Sequence, residues 1–557
     1  MKLAVVGGGV AGLAAAHRAL EIARARGLPL DLSLFEAGDR IGGTIHTERH
    51  EGFLVEGGPD SFLSEKPWAL ALCQRLGIEH RLIRTDDRFR RTYVVFRGRL
   101  HPLPDGFQLL APTRLGPFVR SELFSWPGKL RMAMDLVLPR GGDPDESLGG
   151  FVSRRLGKEA LERVAQPLVA GIYTADPDVL SLAATMPRFM EVERTERSLI
   201  LGLWRASRRA PLEAKGVSGA RWSLFVTFAE GMEELVVALA SRLPSDAVRL
   251  KERVAQPLVA GIYTADPEVL SLAATMPRFM EVERKERSLI LGLWRASRRA
   301  PLEAKGVSGA RWSLFVTFAE GMEELVVALA SRLPSDAVRL KERVASVTRE
   351  GVHWRVGMAD GSAAVADAVI IATESYQAGR MLRYTDPALS HLLDDIPYAS
   401  SATVTLGWRR ADIPHPLDGF GFVVPQVERR PIIACTFSSV KYPGRAPAGF
   451  ALLRVFVGGA LNETALTGDD ETLTRVARAE LGELLGIQAP PLMSRVSRYP
   501  KAMPQYHVGH LARVEAIEGC LRARPGLAVA GGAYRGVGIA DCVRSGEEAA
   551  ARLLPST

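Results

Sequence analysis

Cysteine is scarce in this chain: Cys73, Cys435, Cys520 and Cys542 are the four present in 557 residues. They fall at no metal-ligand spacing and are too few to staple a chain of this length. That excludes a disulfide scaffold and a zinc module, and it points to reduced thiols in a cytoplasmic compartment. Long apolar runs are missing as well. Charge interrupts each of them within about twenty residues, the length a spanning helix needs, as Glu230 and Glu233 do within 224–243. A core strand at 3–6 starts almost at Met1 and leaves no room ahead of it for a signal or transit peptide. The expected location is therefore the cytoplasm, with peripheral contact to a membrane at most. The formal net charge of +8 comes from many scattered arginines rather than from one basic block with interleaved aromatics. Nucleic acid is a poor match for that pattern, whereas an anionic lipid surface or a carboxylate-bearing substrate suits it. There is no serine-triad signature and no His-x-x-x-His pair, and His507 with His510 are spaced wrongly for a helical zinc pair. No metal is expected, and no protein nucleophile.

Glycine, by contrast, stands where a dinucleotide needs it. The apolar strand 3–6 runs into Gly7-Gly8-Gly9-Val10-Ala11-Gly12 and then into a helix-prone alanine-rich stretch. In such a turn Gly7 permits the tight bend, Gly9 admits a pyrophosphate to the backbone, and Gly12 lets helix and strand pack closely. A second apolar strand, 31–35, ends at Glu36, the distance downstream at which an acid bonds the ribose hydroxyls and disfavours a 2′-phosphate. A second glycine pair follows in Arg40-Ile41-Gly42-Gly43-Thr44 and suits a longer, bent cofactor, FAD rather than NAD. Near the other end, 527–532 is again a strand running into glycines, followed by Gly536-Val537-Gly538-Ile539-Ala540-Asp541 and a helix. A third contact with the cofactor is expected there, at Gly532, Gly538 and Ile539.

Further motifs join these: Glu56-Gly57-Gly58-Pro59-Asp60-Ser61-Phe62, Arg197-Ser198-Leu199-Ile200, the segment 419–425, Met503-Pro504-Gln505-Tyr506 with Gly509-His510, and 532–544. With them the chain resembles the protoporphyrinogen oxidase family of the flavin-containing amine oxidase superfamily over essentially its whole length. The resemblance implies an α/β fold in which a Rossmann-like FAD-binding domain is built from separated segments, 1–85, 311–375 and 501–557. It adds a helical membrane-docking and substrate region at 86–215 and a mixed-sheet substrate domain at 376–500. It also implies noncovalent FAD, with Gly57, Gly58 and Pro59 against the cofactor and the backbone of Val344 at its adenine half. The expected substrate is a porphyrinogen, oxidised to the porphyrin in haem biosynthesis with molecular oxygen as acceptor and hydrogen peroxide as product.

By the same resemblance the substrate pocket maps to Phe420, Gly421, Val423 and Phe456. Two departures touch it: Thr92 stands where relatives carry an arginine, with Arg91 one place earlier, and Ala175 replaces a glycine within 171–177. Protoporphyrinogen IX is the first reading of the substrate, and coproporphyrinogen III, with four carboxylates, stays open. Another amine-oxidase-type flavoenzyme and a flavin-binding pseudoenzyme are the rival readings. Phe107, Leu109, Leu110, Phe118, Phe124 and Trp126 beside Arg114, Arg120, Lys129 and Arg131 suggest an anionic membrane face. A homodimer is allowed.

The chain also repeats itself. Residues 162–251 recur as 252–341, and only Asp178 against Glu268 and Thr195 against Lys285 differ. Solenoid repeats are shorter and diverged, so one copy is expected to be surplus. Of the two copies, the second should fill the sheet position around 339–346, because it runs directly into the strands that follow. Copy one should supply 166–176 to the helical region, with the surplus somewhere between about 177 and 316.

Overall fold

The structure is a computed structural model and describes residues 1–64, 66–108, 111–112, 114–141, 143–209 and 315–554. Most of the stretch expected to be surplus, including 250–256 with its near-copy of the 340–346 sequence, and Leu109 and Leu110 lie outside the described residues.

Short apolar runs make the cofactor sheet. Five parallel strands stand in the order Val338–Leu340, Asp31–Glu36, Lys2–Val6, Ala368–Ile371, Leu527–Val529. In chain order that is third, second, first, fourth, fifth, the doubly wound arrangement that puts a dinucleotide at the carboxyl ends of the strands. Ala4, Val5, Val369, Ile370, Leu527 and Ala528 are buried, because helices cover both faces of such a sheet. The opening helix, Val10–Ala25, meets the closing helix, Ile539–Leu553.

The strand position beside Glu36 is filled by Val338–Leu340 alone. The expectation of one strand through 339–346, with Val344 in it, is corrected: Lys341 turns with φ +62°, and Val344–Glu350 starts a separate antiparallel sheet with His353–Met358 and Ala363–Ala366. Val344 is buried in that sheet's core. The turn before it lies beside Glu36 instead, where Lys341 N donates to Gly38 O and Glu342 N to Glu36 O.

A second, seven-stranded mixed sheet runs Met493–Pro504, Tyr398–Arg409, Phe450–Gly458, Ile432–Phe437, Gly421–Val423, Thr92–Phe96, Arg99–Pro102. Residues 92–102 thus leave the helical region for this sheet: Thr92–Phe96 pairs in parallel with Gly421–Val423, and Arg99–Pro102 pairs antiparallel with Thr92–Phe96 at the edge. Helices from Leu115–Arg120 to Leu199–Arg209 pack on one face of this sheet, around Phe151, Val164, Val169 and Leu182. Copy one supplies Gln166–Tyr173 there. Copy two supplies Phe315–Phe318, the middle strand of a small sheet between Phe62–Leu63 and Leu82–Arg84, and Val338–Leu340. Buried Arg445 locks that middle strand in place, donating to Thr317 Oγ1, Phe318 O and Ala319 O and pairing with Glu56.

The aromatic and basic residues expected to form a membrane face are mostly turned inward. Phe107, Phe118 and Phe124 are buried, and Phe107 and Phe124 stack at 5.7 Å. Lys129 donates to Val119 O, and Arg131 donates to the carbonyls of residues 153–155. The exposed apolar residues are instead Trp126 (65% exposed), Leu130 (68%), Met134, Leu136 and Val137 (81%). Trp126, Leu130 and Met134 repeat every four residues and share a helix face. No described helix is long and apolar enough to cross a membrane.

Candidate cofactor and substrate site

All three amino-terminal glycine clusters come together. Gly42 N donates to Gly8 O at 2.8 Å, Gly9 and Gly42 form a β-bridge, and Gly57 N donates to His46 O at 2.8 Å. A side chain at Gly12 would meet Gly7 O at 1.9 Å, so helix and strand approach as closely as the sequence implied. Glu36 stands beneath the turn, its carboxylate accepting from Gly8 N at 2.8 Å and Gly38 N at 2.7 Å. Pro59 follows directly on this assembly.

The site offers both empty space and unpartnered polar atoms. A Cβ on Gly9 would meet nothing within 4 Å, and no side chain caps the opening helix at Gly9 or the closing helix at Gly538. Two helix amino termini therefore present unpaired amides, the arrangement that receives a pyrophosphate. Arg454 Nε, Gln505 Oε1 and Tyr534 Oη are buried without a partner. The residues present fit FAD: Gly7, Gly9, Gly12, Gly42 and Gly43 would face its phosphates and Glu36 its ribose. Arg40, expected at the cofactor, spends its guanidinium on the carbonyls of Ile41, Gly43 and Ile45. It shapes the glycine loop from behind.

The carboxyl-terminal motif is held by aromatic side chains. Tyr506 Oη donates to Gly532 O at 2.5 Å and accepts from Gly536 N at 2.8 Å, so one hydroxyl fixes both ends of the loop before Gly538 and Ile539. Its ring stacks on His510 at 4.1 Å. His510 Nε2 bonds Tyr534 O, and burial lowers its pKa to about 4, so the imidazole is neutral at pH 7. Lys66 pairs with buried Asp541 at 2.5 Å.

Between the two sheets the substrate-side residues divide. Val423 and Ala175 are buried in the cluster shared with the helices, and Phe456, Tyr173 and Val537 pack against it. A cavity of about 240 Å³ opens beside them, with Gln166, Thr174, Ala175 and Val424 in its wall. Gly421 pairs with Thr92, and Phe422 turns to the opposite face with Tyr93. The Arg91 guanidinium pairs with Asp418 beside the Tyr93 hydroxyl, so its charge already has a protein carboxylate. Phe420 is half-buried; its amide donates to Arg91 O and its carbonyl accepts from Phe437 N, and it is not part of the Val423 cluster.

Sequence reasoning missed the charges between the sheets. Lys441 pairs with Asp60 at 3.2 Å; burial opposes ionisation of that carboxyl, but Lys441 and Arg454 outweigh it and hold the pKa down to about 2. Arg454, 5% exposed, donates through Nη2 to Gly57 O at 2.8 Å and Gly58 O at 2.6 Å. The available signal was a lone cation inside the apolar strand Phe450–Gly458.

Comparison with known proteins agrees with this geometry. The family model described as flavin containing amine oxidoreductase matches residues 10–257 and again 252–554. The chain is 33% identical to a coproporphyrinogen III oxidase of Propionibacterium freudenreichii over 99% of this chain and 90% of that one. It is 30% identical to one of Bacillus subtilis, over 99% and 97%. A crystal structure from Exiguobacterium sp. 255-15, assigned as a protoporphyrinogen oxidase, superposes with a TM-score of 0.73 at 26% identity, covering 99% of this chain and 98% of that one. This chain belongs to the flavin containing amine oxidoreductases, within the group that holds the protoporphyrinogen and coproporphyrinogen oxidases, and its cofactor is FAD.

Proposed function

We propose that the protein oxidises a porphyrinogen to the porphyrin, protoporphyrinogen IX to protoporphyrin IX in the first reading. The observation that carries this is the junction itself: the FAD-binding glycine clusters meet, through Arg454, a sheet whose Val423 and Phe456 turn to an apolar cluster. FAD, when bound there, would supply the hydride-accepting chemistry for the three two-electron steps, with molecular oxygen as final acceptor and hydrogen peroxide as its product. The chain's own part is to bind, orient and exclude water. Tyr506 fixes the Gly532–Gly536 loop, and Val423, Phe456 and Tyr173 offer an apolar wall to the macrocycle. Coproporphyrinogen III is the second reading, favoured by the names of the two relatives at 30% and 33% identity. Purified protein tests the proposal: porphyrin fluorescence must rise above the autoxidation blank. A yellow protein that produces none is a binding protein instead.

The exposed patch from Trp126 to Val137 supports peripheral docking on a membrane by the cytoplasmic enzyme, which would receive an apolar substrate there. We infer also that one copy of the repeat is surplus. Two overlapping family matches, and slots that are each filled once by a different copy, support this.

A further inference from the structure

Arg454 is a buried cation that, among the described residues, has no carboxylate within ion-pairing distance; Asp60 is close enough for Arg454 to help lower its pKa but makes its ion pair elsewhere. Asp60 is paired to Lys441, Arg454 Nε has no partner, and Nη2 is held only by the carbonyls of Gly57 and Gly58. An isolated charge in a protein interior is costly unless something neutralises it. A methionine or leucine would fill the same place, on the strand face that Arg454 shares with Leu452 and Phe456, without that cost. The location narrows what the charge is for. One side of the guanidinium is the Gly57–Gly58 backbone, part of the cofactor assembly. The other is Phe456, whose ring centroid lies 5.0 Å away and which packs with Val423 and Val537 on the substrate side. The adenosine end, at Glu36, belongs to the other sheet. Arg454 therefore stands where the redox-active end of the cofactor meets the substrate.

We propose that Arg454 is the electrostatic partner of the reduced flavin: it offsets the negative charge the ring gains on reduction and so raises its reduction potential. This rests on the porphyrinogen-oxidase reading. In that reaction the bridge carbon–hydrogen bond breaks and hydride carries its electron pair to the flavin, a pyrrole N–H gives up its proton, and oxygen afterwards takes the two electrons and two protons to leave as hydrogen peroxide. A fixed cation in a water-poor site favours the charged product without reorganising. The two carbonyl bonds keep the guanidinium from swinging away when the ring is uncharged.

The test compares wild type, Arg454→Met and Arg454→Lys, each as the FAD-loaded full chain without substrate. The readouts are the flavin midpoint potential and the affinity for sulfite, which adds to the ring and leaves a negative charge on it. Arg454→Met is expected to shift the oxidised-to-reduced equilibrium at least tenfold toward oxidised flavin, about 30 mV for a two-electron couple, and to weaken sulfite binding by a similar factor. Arg454→Lys keeps the charge and should stay within a few-fold of wild type. Flavin retained by the lysine variant but lost from the methionine variant also supports the assignment. Three results overturn it: unchanged potential and sulfite affinity with only lower thermal stability; unchanged flavin properties with a raised porphyrinogen KM, which gives Arg454 to a substrate carboxylate; or loss of flavin from both variants, which makes it a shape element of the Gly57–Gly58 loop. Wild-type protein that binds no flavin contradicts the functional reading itself, a separate outcome.

Discussion

Phe318→Ala and Phe228→Ala make the same chemical change inside identical sequence, because 225–251 is repeated as 315–341. Phe318 is fully buried on the middle strand of its small sheet, its ring 6.5 Å from that of Phe62. Truncating a buried phenylalanine to alanine costs about 3–5 kcal/mol. With an unfolding entropy of about 2.1 cal/mol/K per residue, a chain of this size changes by about 1 kcal/mol/K, so the melting temperature should fall by about 3–5 °C. If Phe228 lies in the surplus copy, its truncation should cost less than about 0.5 kcal/mol and leave the melt unchanged. Thermal unfolding followed by circular dichroism, with release of flavin fluorescence as a second probe, reads both. Equal losses would show both copies engaged in the fold. Two silent single variants with a damaging double would show the copies replacing one another, and either result refutes the assignment of copy two to the slot.

Deleting 252–341 leaves one complete copy and should preserve flavin content and porphyrin formation while raising the melting temperature; loss of folding would show that both copies are needed. Glu36→Ala removes the acceptor of Gly8 N and Gly38 N as well as that of the ribose, and should weaken FAD binding by about 1.5–3 kcal/mol, read as flavin lost on dialysis. Leu130→Glu with Val137→Glu should abolish sedimentation with anionic liposomes and leave porphyrin formation in detergent intact; unchanged sedimentation would remove the docking face. His510, its pKa lowered by burial to about 4, is a neutral group in the fold that the unfolded chain protonates first. Its stabilising contribution is complete above about pH 6.5 and is lost as pH falls from there toward 4. Urea titrations across that window should show the loss in the wild type and a flatter profile in His510→Gln.

Local signals carried the glycine-loop assembly. The order strand, glycine turn, helix, acid is fixed by neighbours in the chain, and Gly7, Gly9, Gly12, Glu36, Gly42 and Gly43 assemble as their spacing implied. Long-range choices were not legible in that way. Arg91 and Arg40 looked available for ligands because their partners, Asp418 for one and three backbone carbonyls for the other, cannot be inferred from spacing. Phe107, Phe118 and Phe124 lie beside basic residues in sequence, but a helix puts neighbours on different faces, and it was Trp126 and Leu130 that stayed outside. The strand through 339–346 broke because Lys341 takes a left-handed turn that nothing in its composition announces. Arg454 alone left a mark, a charge in an apolar strand, whose meaning needed the Gly57–Gly58 loop 397 residues away.

The most direct test of the central claim mixes the purified, FAD-loaded protein anaerobically with protoporphyrinogen IX, and separately with coproporphyrinogen III, while following flavin absorbance and porphyrin fluorescence together. The account predicts that a porphyrinogen bleaches the flavin, protoporphyrinogen IX in its first reading, and that admitting oxygen restores the colour with hydrogen peroxide and porphyrin formed in a three-to-one ratio. Flavin that stays oxidised with both substrates would contradict it.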